Sequence, residues 1–109
     1  MADQNLVSEA FQLFLKESPK HAQAWSSAAQ ALGAAMALDK KTAALAYLAV
    51  LAALRLESGL PFHVVMAKEA GASRDEVISA ILIGLPAAGT AVTQALPAAL
   101  RAWDGQERA

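Results

Sequence analysis

The sequence predicts an all-α fold, and three features of its composition and pattern support this prediction. Alanine, the strongest helix former, is the commonest residue. Apolar residues recur with the i, i+3, i+4 spacing of an amphipathic helix. No stretch alternates apolar and polar residues with the period of two that a half-buried strand requires. We therefore expect a helical bundle, and the 109 residues suit a single domain, residues 1–109.

The first two predicted helices meet at Ser18 and Pro19. Asp3 is a suitable N-cap for the first helix, whose apolar stripe lies within residues 6–14 and which ends near Glu17. Ser18 is a suitable N-cap for the second helix. Pro19 fits the first position of that helix, because a backbone N–H there has no acceptor within the helix.

The third predicted helix is the centre of the bundle. Asp39 caps it, and it runs from Lys40 to about Leu56. Residues 43–54 are apolar around the whole circumference of this helix. Such a helix is expected to be covered on all sides.

The fourth and fifth predicted helices have the clearest boundaries. Pro61 opens the fourth helix, and Gly71 closes it as a residue suited to the left-handed conformation at a helix C-terminus. Ser73 and Glu76 have the spacing of a capping box, which opens the fifth helix.

The last part of the chain contains two Leu-Pro-Ala-Ala segments, at residues 85–88 and 96–99. They are either a short internal repeat or two helix starts with proline near the first position, and we expect the second. Gly89 interrupts the chain between them, and a final helix runs towards Trp103.

Composition and charge exclude several classes of partner. The net charge is −1 and the basic residues are dispersed, so we expect no nucleic-acid binding. The longest apolar run, residues 43–54, is shorter than the roughly 20 residues of a membrane span, so we expect no membrane partner. Residues 1–5 lack the profile of a secretory signal, which predicts a cytoplasmic protein. The hydrophobic share of 56% exceeds that of a typical soluble monomer and predicts a subunit interface.

The polar residues give one candidate site, centred on His63. His63 is either a buried, neutral core histidine bonded to a backbone carbonyl, or a neutral proton acceptor near the positive end of its helix. Its candidate partners are Tyr47, Glu57 and Arg55, which equally have ordinary roles at a core rim or a helix end. The other histidine, His21, is expected on the surface. With two distant histidines and no cysteine, we expect no metal and no cofactor.

Two stretches, LDKKTAALAYLAVLAAL and FHVVMAKEAGASRDEVISAILIGLPAAG, resemble the carboxymuconolactone decarboxylase family, which includes the alkylhydroperoxidase D-like proteins. The resemblance is strongest over residues 38–103. It implies an alkylhydroperoxidase D-like bundle of about six helices that assembles into homotrimers or homohexamers.

The resemblance also bears on the chemistry. The peroxidase branch of this family uses Cys-x-x-Cys-x-x-x-His with an upstream glutamate. If His63 is the histidine of this motif, the two cysteine positions hold Leu56 and Gly59, and the glutamate position holds Ala44. Without a thiolate, no peroxidatic attack is possible. The decarboxylase branch is cysteine-free, which implies that His63 exchanges a proton with a small lactone-like or carboxylate-like molecule at a subunit interface. The alternative is a structural or interaction oligomer that has lost the active site.

Overall fold

The computed structural model describes residues 6–105, and this part of the chain is helical without strands. Two 3₁₀ segments, Glu57–Gly59 and Gly89–Ala95, separate some of the α-helices. The α-helices are α1 (Glu9–Glu17), α2 (Pro19–Ala34), α3 (Lys40–Ala53), α4 (Leu60–Glu69), α5 (Arg74–Leu82), α6 (Leu85–Ala88) and α7 (Leu96–Trp103). The predicted all-α class is confirmed.

The predicted first helix is interrupted before Glu9, since Leu6 is helical but Val7 and Ser8 are not. Asp3 lies outside the described residues, and α1 starts at Glu9 because the Ser8 hydroxyl accepts a hydrogen bond from the Phe11 N–H at 3.2 Å. The predicted end at Glu17 is confirmed. The next helix starts at Pro19 as predicted, but Ser18 makes no side-chain cap: its hydroxyl hydrogen-bonds His21 Nδ1 instead.

The third helix is capped as predicted, since the Asp39 carboxylate accepts from the Thr42 N–H at 2.7 Å. It ends at Ala53 rather than near Leu56. Arg55 takes a left-handed conformation with φ 61°, and the Leu56 N–H turns back to the Leu51 carbonyl at 2.9 Å. This is the Schellman arrangement that terminates a helix, with arginine where glycine is usual.

The prediction that α3 is covered on all sides is wrong for this chain alone. Leu48 and Ala52 are fully buried, but Tyr47, Val50 and Leu54 remain 47–62% exposed. One side of the helix therefore packs against the core, while the opposite side presents apolar side chains to solvent.

The boundaries predicted for α4 and α5 are confirmed. Gly71 has φ 102° and follows the last turn of α4. Ser73 and Glu76 form both hydrogen bonds of the capping box, at 3.1 and 2.9 Å. Pro86 and Pro97 lie in the first turns of α6 and α7, which confirms the interpretation of both segments as helix starts.

The core lies where α4 packs against α3 and α7, and where α5 packs against α3. Burial of these apolar side chains is the main force that holds the bundle together. The largest fully buried side chains are Leu48, Leu60, Val64, Val77, Ile81 and Val92.

One described stretch, Arg74–Trp103, has the length and hydropathy of a membrane span, with a mean hydropathy of 1.6 in its most apolar window. This stretch is broken into α5, α6, a 3₁₀ segment and α7, and α7 packs back against α5. Several of its side chains, such as Val77, Ile81 and Val92, belong to the core. It is therefore part of the folded bundle rather than one straight helix.

The first two helices form an arm on this bundle. α1 and α2 pack mainly against each other. Ala22 is the buried residue of the 16-residue α2, and Trp25 and Leu32 are 51% and 64% exposed. The arm therefore leaves much of its apolar surface in solvent.

Candidate functional site

The hairpin of α3 and α4 places His63 in an aromatic setting. His63 lies in the first turn of α4, and its ring centroid is 4.5 Å from that of Tyr47 on α3, with the rings tilted by 47°. The neighbouring Phe62 meets the same imidazole edge-to-face, at 5.2 Å and 87°. The structure thus brings together two of the four predicted site residues, Tyr47 and His63.

The electrostatic environment favours the neutral form of the imidazole. His63 is half-buried, and burial lowers its pKa because removal of water penalises the charged ring. The ring also lies near the start of α4, where the helix dipole opposes a positive charge. At neutral pH the imidazole therefore carries a free lone pair on one nitrogen.

The hydrogen bonding of the His63 imidazole distinguishes between the two roles predicted for this residue. Within residues 6–105 no hydrogen bond engages either nitrogen, and the buried side-chain nitrogen that lacks a partner in this region is Arg101 Nε. The described structure therefore does not show the bond to a backbone carbonyl that a core histidine was expected to make.

The other two predicted residues bind each other. Arg55 Nε donates to Glu57 Oε2 at 2.9 Å, and Arg55 Nη2 donates to Gln94 Oε1 at 3.4 Å. In residues 6–105 no hydrogen bond or ion pair connects Arg55 or Glu57 to His63. Gln94 was missed from the sequence, because no local signal connects it to an arginine 39 residues away.

The positions that correspond to the redox motif hold no reactive group. Leu56 is 48% exposed, Gly59 belongs to a 3₁₀ turn, and Ala44 is half-buried on α3. No group of three potential metal ligands occurs in residues 6–105. Of the four positions of that motif, only His63 holds a titratable side chain, and Tyr47 on α3 contacts its ring.

A separate groove lies between α3 and α5, away from His63. Its volume is about 670 Å³, and its floor is mainly apolar. At one end, Lys41 Nζ and Glu76 Oε2 form an ion pair of 2.9 Å that joins the first turns of the two helices. The groove was not predicted, since the small residues that form it resemble ordinary core positions. It is lined by Lys41, Thr42, Leu45, Ala46, Ala49, Asp75, Glu76, Ser79, Ala80 and Ile83.

Comparison with known protein families gives a match over most of the chain. The profile of the carboxymuconolactone decarboxylase family matches residues 19–102, from the start of α2 into α7. The chain belongs to this family. Neither a curated protein nor a solved structure matches the chain. The match begins before the residues that carried the resemblance in the sequence, so α2 belongs to the carboxymuconolactone decarboxylase domain and is not an appended segment.

Proposed function

We propose that this member of the carboxymuconolactone decarboxylase family is a cofactor-free acid–base catalyst, in which neutral His63 moves a proton on a small lactone-like or carboxylate-like substrate. The observation that carries the proposal is the half-buried imidazole in contact with two aromatic rings, whose nitrogens make no hydrogen bond to any of residues 6–105. A thiol mechanism is impossible for this chain, because it contains no cysteine.

The proton transfer follows from the state of the ring. The lone pair of neutral His63 accepts a proton from a carbon next to a carbonyl group, and the electrons of that C–H bond move onto the carbonyl oxygen. The resulting imidazolium returns the proton to a carbon of the same enolate. The Tyr47 hydroxyl is the group that can donate a hydrogen bond to the developing oxyanion, while Arg55 and Glu57 are occupied with each other.

The test is hydrogen exchange into a small carboxylated lactone in D₂O, followed by NMR. We expect the wild-type protein to catalyse exchange and His63→Gln to lose about 10²–10⁴-fold in rate, as removal of a general base does. His21→Gln changes the other histidine, which is exposed and serves as the control. Equal rates for the wild type and His63→Gln would overturn the proposal.

We further propose that the protein acts as a homotrimer or homohexamer. The support is the set of large apolar side chains left exposed on a single chain, including Leu54 and Ile83 at 62% and 71%. The same observation favours the second candidate function, a structural or interaction oligomer without catalysis. That function predicts that His63→Gln changes stability alone, and the exchange experiment separates the two.

A further inference from the structure

The α2 helix and the α3–α5 groove are two apolar surfaces that the single chain leaves uncovered. Trp25, Ala29 and Leu32 lie along one side of α2, at spacings of four and three residues, and all three are exposed. We define these three residues as the α2 stripe. α2 packs mainly against the shorter α1, which leaves this stripe exposed and available to a further packing partner.

The groove has the dimensions of a helix-binding surface. It extends over about two turns of each wall, or about 12 Å, from Lys41 and Asp75 at one end to Ala49 and Ile83 at the other. The α2 stripe spans a similar length. Small side chains such as Ala46 let another helix approach closely, and Ile83 at the open end is 71% exposed among the described residues.

The charges of the two surfaces are complementary. α2 contains Lys20 and no acidic residue. In the groove, Lys41 and Glu76 neutralise each other, and Asp75 supplies the excess negative charge. A helix without carboxylates therefore meets no like-charge repulsion there.

The area is also appropriate for self-association. Apolar side chains about half exposed on the α1–α2 arm and in the loop after it present roughly 600 Å² of apolar surface in total, spread over several sides of the two helices. Monomers rarely leave such an area in solvent. The side chains are Phe11, Leu13, Leu15, Trp25, Leu32, Met36 and Leu38.

From these observations we infer that α2 of one copy of this chain docks in the α3–α5 groove of a second copy. The inference rests on the oligomer proposed above and assigns a surface to it, and it holds whether or not His63 is catalytic. It explains why a helix within the family domain packs mainly against α1 and leaves large apolar side chains exposed in the single chain.

Disulfide crosslinking tests this interface cleanly, because the chain has no cysteine of its own. The test variant combines Ala29→Cys, in the middle of the α2 stripe, with Ala46→Cys, in the middle of the groove. These central positions meet whether α2 runs parallel or antiparallel to α3. The control variant combines Ser27→Cys with Ala46→Cys, because residue 27 lies on the opposite side of α2.

After mild oxidation, gels without reductant are expected to show a crosslinked dimer for the test variant and at least tenfold less for the control. A disulfide within one chain would overturn the inference, because α2 would then occupy its own groove. Equal crosslinking in the two variants would also overturn it. Light scattering separates the two proposals: an oligomer without the 29–46 crosslink refutes this interface alone, whereas a monomer refutes the assembly as well.

Discussion

Three leucines on or next to α3 give a matched test of the packing. Leu48 is fully buried and Leu51 is 5% exposed, whereas Leu54 at the helix end is 62% exposed. Replacement of each by alanine removes the same atoms. The expected losses of stability differ because the burial of those atoms differs.

The magnitudes follow from burial. Leu48→Ala and Leu51→Ala leave cavities in the core, and such changes cost about 2–5 kcal/mol. Leu54 buries roughly a third of its side chain, so its replacement should cost about 0.5–1 kcal/mol by the transfer scale. For a domain of this size, Leu48→Ala corresponds to a fall in Tm of roughly 10–25 °C.

The assay is thermal and urea unfolding followed by circular dichroism at 222 nm, at two protein concentrations. A loss below about 1 kcal/mol for Leu48→Ala would refute the assigned core. A large, concentration-dependent loss for Leu54→Ala would show that another chain covers the outer side of α3. A small loss for Leu54→Ala that does not depend on protein concentration would show that this side of α3 stays in solvent.

Three further changes have defined outcomes. Burial lowers the pKa of His63, so the unfolded state binds more protons than the folded state below about pH 6.5, and the free energy of unfolding should fall on acidification. Urea midpoints at pH 5.5 and 7.5 measure this fall, which should be smaller in His63→Gln than in the wild type. Ser73→Ala removes the N-cap of α5 and should cost about 1 kcal/mol in urea unfolding, whereas Ser79→Ala in the same helix should cost little. Arg55→Gly should be more stable than Arg55→Ala by about 1 kcal/mol, because both lose the ion pair but glycine alone relieves the left-handed backbone; equal stabilities would contradict this.

Helix starts were predictable from sequence where the signal is a hydrogen bond between close neighbours. Asp39 with Thr42, and Ser73 with Glu76, each join residues three positions apart, so the spacing alone locates the cap. Ser18 shows the limit of this rule. Its hydroxyl has a competing local partner in His21, and the sequence does not say which of the two bonds forms.

The end of α3 could not be predicted, because it depends on an arginine in a conformation that arginine rarely adopts. Bonds from Arg55 to Glu57 and to Gln94 accompany this conformation, and the second comes from a distant part of the chain. Likewise, the apolar residues on all sides of α3 predicted that other elements pack around it, but they did not identify those elements. Periodicity records which side chains avoid water, whereas the covering partner depends on tertiary and quaternary packing.

The fold could accommodate a cysteine side chain at Leu56 and at Gly59, the two positions that correspond to the cysteines of the peroxidase motif. Gly59 has φ −85°, which any residue adopts, and a Cβ added there would meet only the Leu51 methyl groups at 3.5 and 3.6 Å. That is ordinary van der Waals contact, and the side chain at Leu56 is already half-exposed. Packing therefore gives no reason for glycine and leucine here. Their presence removes thiol chemistry from this chain, while the histidine in the first turn of α4 keeps its contacts with two aromatic rings.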